Sequence, residues 1–321
     1  METNMEIFWT CVGVFGGVAV FLLLVSFVLF LTTFYSFPKR KPLPEGKYDI
    51  PKGKAYRKHR EEMINWQKAV RAMKREKLEI TSFDGLKLRG YYYEYEKGAP
   101  IEIQFHGYHG NGERDLSGGV ERCFAIGRSV IIVDQRGHGM SEGNIITFGI
   151  KEKYDCIKWV EYAVERFGSD VKLILTGVSM GAATVILAAG EQPMENVVCV
   201  LADCGYSSAE AIIKKVIKDV RLPASLIYPL VYLGARVFGG FDLRDAAPID
   251  AVKRLTVPII MFHGDSDSFV PCEMSKDVFD ACPLKEKHLT FIKGADHGLA
   301  YPTDKELYLQ MMRETISEWG L

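Results

Sequence analysis

The stretch that decides the fold is Val171-Lys-Leu-Ile-Leu-Thr-Gly177-Val-Ser179-Met-Gly181-Ala-Ala-Thr-Val-Ile-Leu-Ala-Ala-Gly190. A β-branched, leucine-rich run leads into Gly-Val-Ser-Met-Gly, and a run of small residues follows at once. The pattern predicts a strand, a tight turn and a helix, the setting in which Gly-x-Ser-x-Gly forms a nucleophile elbow. The turn strains its central residue and crowds the positions two before and two after it, so both must be glycine. Ser179 is therefore predicted to stand at a helix N-terminus, where N–H groups, including that of Met180, point toward developing negative charge.

A second match to Gly-x-Ser-x-Gly, at Gly139-Met-Ser141-Glu-Gly143, provides a comparison within the same chain. Ser141 follows a turn-like Asp-Gln-Arg-Gly-His-Gly segment, and no helical pattern starts directly after it. It therefore has the letters of the motif without the strand–turn–helix context. We predict that Ser141 is a loop residue and that Ser179 is the nucleophile of an enzyme.

Apolar strand patterns alternate with helical patterns from residue 78 to the end of the chain. An Asp84-Gly85 turn predicts a β-hairpin, and further short strands follow at residues 101–105, 129–133, 171–178, 197–202, 257–262 and 289–292. Fully apolar strands separated by helices are typical of βαβ units. The sequence thus predicts an α/β fold with a mostly parallel central sheet and helices on both faces, formed by residues 78–321.

The alternation stops between about residues 205 and 250. This segment contains a basic amphipathic piece and then a long apolar run interrupted by prolines. An insertion of this length and polarity favours a helical lid over a substrate pocket. Extra helices that complete the core are the alternative, and Arg221, Arg236 and two prolines argue against a second membrane span.

Residues 1–37 are predicted to be an N-terminal transmembrane anchor. Ile7–Leu31 is an uncharged apolar run of about 25 residues, long enough to cross a bilayer as a helix. A cleaved signal peptide is the competing interpretation, but no basic n-region or small-residue cleavage site is obvious. Basic residues follow the run and none precedes it, which predicts a single-pass protein of the cell membrane with a cytoplasmic catalytic domain. These residues are Lys39, Arg40, Lys41 and Lys47.

Residues 38–77 are predicted to form a basic linker and an amphipathic helix. Pro38–Pro51 is rich in proline and lysine and should be extended. From about Lys54 to Lys77, apolar residues recur at helical spacing opposite a basic face. Packing against the catalytic domain is favoured over binding to an anionic leaflet, because Glu61 and Glu62 interrupt the basic face.

The composition limits the partners of the chain. The 321 residues carry a formal net charge of −1, which gives no reason to expect nucleic acid. Seven scattered cysteines without a Cys-x-x-Cys pair argue against a disulfide framework or a zinc site. The glycine-rich segment 106–112 matches no phosphate-binding motif, and its two histidines have no further ligands nearby. We therefore expect no cofactor and no metal.

Polar motifs follow several predicted strands, and together they resemble those of the α/β-hydrolase superfamily from roughly Leu78 to the C-terminus. The motifs are Phe-His-Gly-Tyr-His-Gly-Asn at 105–111, Asp-Gln-Arg-Gly-His-Gly-Met-Ser-Glu-Gly at 134–143, the elbow at 177–181, His-Gly-Asp-Ser-Asp-Ser-Phe-Val-Pro at 263–271 and Gly-Ala-Asp-His-Gly at 294–298. The chain is similar to membrane-anchored bacterial hydrolases of the esterase and aminopeptidase-like branch. The resemblance implies the α/β-hydrolase fold, with Ser179 as nucleophile, Asp267 as acid and His297 as base, in the chain order that this fold uses. The loop after residue 105 offers a second oxyanion donor, the Tyr108 N–H, beside that of Met180.

Residue chemistry supports the base and leaves the acid less determined. A serine hydroxyl needs an imidazole to remove its proton, and His297 lies between the last predicted strand and the last helix. Asp265 lies two residues from Asp267, and Asp203 ends an earlier strand from which it could also reach the base. Asp296 is predicted to be a turn residue.

These features predict a membrane-anchored serine hydrolase that cleaves carboxylic esters of acyl or other hydrophobic substrates through an acyl-enzyme. A thioester or lysolipid would use the same machinery. A serine peptidase or aminopeptidase acting on short peptides is the first alternative. A non-catalytic α/β-hydrolase-like binding module is the second.

Overall fold

The computed structural model describes residues 2–37, 40–41 and 43–320, so that Pro38, Lys39 and Pro42 of the predicted linker lie outside the described residues. The described chain contains one sheet of eight strands: β1 Glu76–Thr81, β2 Lys87–Tyr93, β3 Ile101–Phe105, β4 Ser129–Asp134, β5 Leu173–Val178, β6 Val197–Asp203, β7 Ile259–Gly264 and β8 Lys287–Ile292. The α-helices are α1 Glu2–Thr33, α2 Arg60–Ala72, α3 Gly112–Ala125, α4 Glu152–Phe167, α5 Met180–Glu191, α6 Ala209–Asp219, α7 Ala224–Gly234, α8 Pro248–Ala251, α9 Cys272–Ala281, α10 Ala300–Thr303 and α11 Lys305–Trp319.

The central sheet has the strand order β1-β2-β4-β3-β5-β6-β7-β8. β1 and β2 form an antiparallel hairpin, β2 pairs antiparallel with β4, and every other neighbouring pair is parallel. Parallel strands need crossover connections, which place helices on both faces. On β5, Leu175 packs in a cluster with α4 and α5, whereas Ile174 packs in another with α2 and α11. The predicted mostly parallel, doubly covered sheet is confirmed.

Two helix boundaries differ from the sequence-based expectation. The helix predicted over residues 54–77 begins as a 3₁₀ turn at Ala55–His59, and α2 ends at Ala72, because residues from Glu76 onward pair with β2. Helix α3, which follows β3, begins at Gly112. Asn111 caps it by accepting a hydrogen bond from the Arg114 N–H at 2.9 Å.

In the described part of the chain, α1 is the one helix that is long and apolar enough, by length and composition, to cross a membrane. Residues 5–24 are exposed, but the last turns of α1 pack into the body, where Ser26, Phe30 and the following Phe34 are buried. The Phe34 ring lies 5.7 Å from the ring of Phe148 and 5.2 Å from that of Phe241. The end of α1 is therefore part of the hydrophobic core.

The insertion at residues 205–250 packs against the end of α1. It forms α6, α7 and a π-helical turn at Ala235–Gly239, and it packs in one apolar cluster with Phe30 of α1 and with Phe34, which directly follows α1. Its residues are absent from the lining of the described cavity that contains Ser179. One apolar face of the insertion is thus covered by the end of α1, which lies far away in sequence, and its role as a lid stays a prediction.

Candidate active site

Ser179 occupies a strained turn between β5 and α5. Its backbone angles are φ +57° and ψ −116°, a region that non-glycine residues seldom adopt. A Cβ at Gly177 would overlap the backbone of Gly181, and a Cβ at Gly181 would overlap the carbonyl group of Phe105 on the neighbouring strand. The predicted glycine requirement at both positions is thus explained by backbone contacts, and the serine is presented above the carboxyl edge of the sheet.

Three distant side chains meet at this edge. The His297 Nε2 lies 2.9 Å from the Ser179 Oγ, and the His297 Nδ1 lies 2.7 Å from the Asp267 Oδ2. His297 follows β8 and Asp267 follows β7, so parallel strands bring their loops together although 118 residues separate the serine from the histidine. The arrangement allows the imidazole to take a proton from the hydroxyl while the carboxylate holds the opposite ring nitrogen.

Asp267 is surrounded by hydrogen-bond donors. Its Oδ2 also lies 3.1 Å from the His263 Nε2, and its Oδ1 accepts from the backbone N–H groups of Phe269 at 2.8 Å and Val270 at 2.7 Å. Burial raises the pKa of the Asp267 carboxyl, but the hydrogen bonds from His263 and His297 outweigh it and hold this pKa well below its ordinary value. Asp267 is therefore an anion at neutral pH.

The other acids considered from sequence have different partners. The Asp265 Oδ1 accepts from the Gly294 N–H at 2.7 Å, and Asp296 accepts from the Ser268 N–H at 2.9 Å, so both carboxylates join the loops that follow β7 and β8. The Asp203 Oδ2 accepts from the Tyr308 hydroxyl at 3.1 Å. Of these four carboxylates, Asp267 is the one that hydrogen-bonds the ring of His297.

The loop after β3 lies directly against the serine. A Cβ at Gly107 would come within 3.3 Å of the Ser179 Cβ. Two buried histidines hold the backbone around it: the His138 Nε2 accepts from the His109 N–H at 3.1 Å, and the His106 Nε2 accepts from the Gln135 N–H at 3.0 Å. Burial lowers the pKa of His106 to about 3, so this ring stays neutral and keeps its acceptor.

Tyr108, in the middle of this loop, is tied to the end of α1. Its hydroxyl donates to the Thr33 carbonyl at 2.7 Å, and its ring packs in the apolar cluster that also contains Met180. Thr33 belongs to the last turn of α1, where carbonyl groups have no partner within the helix. Both candidate oxyanion residues, Tyr108 and Met180, therefore pack in the same apolar cluster as Phe30 of α1.

The second serine motif has a structural part in the fold. Ser141 is fully buried, donates to the Asp134 carbonyl at 2.6 Å and accepts from the Arg89 N–H at 2.9 Å. Its hydroxyl thus joins β2 to the turn after β4. The prediction that Ser141 is a loop residue is confirmed.

A cavity of about 1000 Å³ opens onto Ser179 and His297. One wall is formed by residues 49–56, which the sequence indicated to be linker and the start of a helix, together with Phe37. Tyr56 donates from its hydroxyl to the His297 carbonyl at 2.9 Å. No local motif marks residues 49–56, because their place in the site depends on how they pack over the sheet edge.

One group of side chains in the described residues is arranged closely enough to hold a metal ion. The ligand atoms of Cys204, Asp267 and His297 all lie within 4.8 Å of one another. Asp267 and His297 are already hydrogen-bonded to each other, and burial raises the pKa of the Cys204 thiol far above its ordinary value. The donor set therefore fits the proton-transfer arrangement better than a metal centre.

Comparison with known proteins agrees with this geometry. A family model described as "Serine aminopeptidase, S33" matches residues 102–236, which include the elbow. YqkD of Bacillus subtilis is 25% identical over 195 residues, which cover 60% of this chain and 62% of YqkD. Rat monoglyceride lipase is 25% identical over 197 residues, covering 52% of this chain and 65% of the lipase. The chain thus spans less than two thirds of the length of these two relatives.

Among solved structures, the Pyrococcus furiosus esterase Pf2001 superimposes with a TM-score of 0.64 at 20% identity, covering 89% of this chain and 98% of the esterase. The strand order, the elbow and these matches confirm the predicted fold: the chain has the α/β-hydrolase fold. The description of the matching family model is that of a hydrolase family.

Proposed function

We propose that the protein is a serine hydrolase that cleaves carboxylic esters, with Ser179 as nucleophile, His297 as general base and Asp267 as the group that orients and stabilises the imidazole. The observation that carries the proposal is the 2.9 Å contact between the Ser179 Oγ and the His297 Nε2 on a strained elbow. A serine in this turn costs conformational energy, and such strain is found at functional sites.

The geometry supports a two-step reaction. The Ser179 Oγ attacks the ester carbonyl carbon while the His297 Nε2 takes the hydroxyl proton, and the carbonyl oxygen becomes an oxyanion. The backbone N–H groups of Met180 and Tyr108 stabilise that oxyanion. His297 then gives its proton to the leaving alcohol as the carbon–oxygen bond breaks. A water molecule, deprotonated by His297, then attacks the acyl carbon; the bond from this carbon to the Ser179 Oγ breaks, His297 returns the proton to that oxygen, and the carboxylic acid leaves.

Two proteins that this chain is similar to, a monoglyceride lipase and an esterase, support an ester as the substrate. The cavity, of about 1000 Å³, has room for an acyl group of a lipid ester or another hydrophobic substrate. A serine peptidase acting on short peptides is the second candidate, and the description of the matching family as a serine aminopeptidase favours it.

The two candidates are separated by activity on p-nitrophenyl acyl esters of increasing chain length and on aminoacyl p-nitroanilides, with Ser179→Ala as the blank. We expect hydrolysis of the esters and labelling of Ser179 by a fluorophosphonate. Faster turnover of the anilides would select the peptidase. Absence of both turnover and labelling in folded protein would instead indicate a non-catalytic binding module.

We further propose that residues 1–37 anchor the protein in the cell membrane, followed by a linker and α2 over residues 38–77 and the hydrolase domain over 78–321. Retention of α1 is supported by the burial of Phe30 and Phe34, since cleavage after the helix would expose the apolar cluster that they cover. The basic residues after α1 favour a cytoplasmic hydrolase domain. Carbonate extraction of membranes, with mass determination of the intact chain, tests this anchoring against a cleaved signal peptide.

A further inference from the structure

The insertion exposes apolar side chains beside the end of α1. Leu226 on α7 is 68% exposed, Val237 in the π-helical turn is 53% exposed and Phe238 is 37% exposed. The inner face of the same segment is covered, with Tyr228 and Val231 buried in the cluster that contains Phe30. The segment Ala224–Gly239 thus has one face on the protein and a second apolar face without a protein partner among the described residues.

This outer face continues the exposed surface of α1. The Phe238 ring lies 4.9 Å from that of Phe27 in an edge-to-face arrangement and 6.0 Å from that of Phe30. A Cβ at Gly234 would meet the Ser26 carbonyl, so the two helices approach through their backbones. Because Phe27 itself is 40% exposed, the apolar surface of α1 passes onto the insertion without a polar break.

Basic side chains lie at both ends of α7, and one of them, Arg236, also pairs with Asp242 at 2.9 Å. The eleven residues of α7 include no charged side chain, whereas exposed Arg221 precedes the helix and exposed Arg236 follows it. Lys218 is also exposed at the end of α6. An apolar segment with basic residues at both ends is typical of a helix held at a lipid interface, with its cations among the headgroups. Exposed to water, an apolar surface of this kind would be unfavourable.

From this continuity of apolar surface and the flanking basic residues, we infer that the insertion is a second membrane-contacting element. Ala224–Gly239 would enter the leaflet beside the end of α1, and the lipid bilayer would cover Leu226, Val237 and Phe238. The inference rests on the proposed anchoring by α1 and adds to it. With two points of attachment, the hydrolase domain keeps one orientation to the membrane instead of rotating about a single helix.

The full-length protein in vesicles of phosphatidylcholine and phosphatidylglycerol allows a direct test. Five cysteines are unsuitable for labelling because burial raises the pKa of their thiols: Cys123, Cys156, Cys199, Cys204 and Cys282. Cys11 and Cys272 are replaced by serine, and an environment-sensitive NBD label is attached to Leu226→Cys. Val237→Cys is a second position on the same face. Glu161→Cys, at an exposed position on α4, is the matched control. A separate chain that keeps Cys11 as its labelling site reports whether α1 lies in the bilayer.

We expect nitroxides on the lipid acyl chains to quench the label at residues 226 and 237 several-fold more than at residue 161, and in the range found at Cys11. Quenching at 226 and 237 no greater than at 161, with strong quenching at Cys11, overturns the inference and leaves the anchoring intact. Absence of quenching at Cys11 as well overturns both. Cross-linking between copies through residue 226, without quenching, identifies a second chain as the occupant and likewise overturns it. Circular dichroism melting curves equal to that of the parent show that the labelled chains are folded.

Discussion

Replacing the carboxylate of Asp267 by an amide tests the reasoning about the site most directly. In Asp267→Asn one acceptor oxygen becomes an NH₂ group, and both oxygens of the native side chain face donors. If the NH₂ group takes the Oδ2 position, it meets the ring nitrogens of His297 and His263. If it takes the Oδ1 position, it meets the backbone N–H groups of Phe269 and Val270. The backbone N–H groups can only donate, so the second orientation brings donors together, whereas in the first the His297 Nδ1 can accept from the NH₂ group if the ring proton moves to Nε2.

The expected loss follows from the tautomer of the base. With an NH₂ group opposite its Nδ1, His297 carries its proton on Nε2, the nitrogen that must accept the Ser179 proton. In serine hydrolases this change lowers kcat by about 10⁴-fold, which corresponds to about 5 kcal/mol of transition-state stabilisation. We expect a loss of this size for kcat on a p-nitrophenyl ester, with little change in KM.

The assay compares three chains: wild type, Asp267→Asn and Asp203→Asn. Asp203 is the matched control because it is also a buried carboxylate at a strand end, but it hydrogen-bonds Tyr308 rather than His297. A loss of less than tenfold in Asp267→Asn, or a greater loss in Asp203→Asn, would refute the assignment of Asp267 as the acid.

Stability against pH supplies an independent measurement on the same variant. Because the pKa of Asp267 is held below its ordinary value of 3.8, the ionised form stabilises the fold. The stability difference between wild type and Asp267→Asn should be constant from pH 5 to 8 and shrink below about pH 4, as the carboxylate protonates. A difference that grows with acidity would contradict the hydrogen-bond network described for this residue.

Three further changes have defined outcomes. Gly181→Ala places a methyl group against the Phe105 carbonyl, so we expect loss of fluorophosphonate labelling and a lower melting temperature, with no effect from Gly13→Ala on exposed α1. Phe34→Ala empties a fully buried site and should cost about 3–5 kcal/mol in unfolding free energy in detergent; an effect below 1 kcal/mol would contradict the docking of α1. Burial raises the pKa of Asp203 to about 6, above its ordinary 3.8, so its stabilising contribution is present below pH 4 and lost as pH rises through 6. Relative to Asp203→Asn, the wild type should therefore lose roughly 3 kcal/mol over this interval, and equal pH profiles would contradict it.

The sheet and the elbow were predictable because their determinants are local. The alternation of apolar strands and helices follows from the period of the side chains along each element. The glycines at 177 and 181 follow from sterics within one turn, and the structure shows the overlaps that any Cβ would cause there. Ser141 was separated from Ser179 in the same way, because the context of each serine lies within a few residues of it.

The local sequence pattern did not determine which aspartate hydrogen-bonds the ring of His297. Asp203, Asp265 and Asp267 all end strands or follow them, and resemblance to the α/β-hydrolases selected Asp267 where spacing alone did not. In the structure the choice depends on the register of β7 and β8, which brings the Asp267 Oδ2 to within 2.7 Å of the His297 ring.

By itself the sequence determined the α/β sheet, the elbow with its serine, and an N-terminal helix of membrane-spanning length. Three features were decided only by the tertiary structure. The insertion packs against the end of α1, residues 49–56 line the cavity, and the Thr33 carbonyl at the end of α1 accepts a hydrogen bond from Tyr108. The physical reason is that periodicity and backbone sterics act over a few residues, whereas burial depends on which apolar faces meet. The faces of α1 and α7 lie about two hundred positions apart in the chain, and neither one specifies the other in its own sequence.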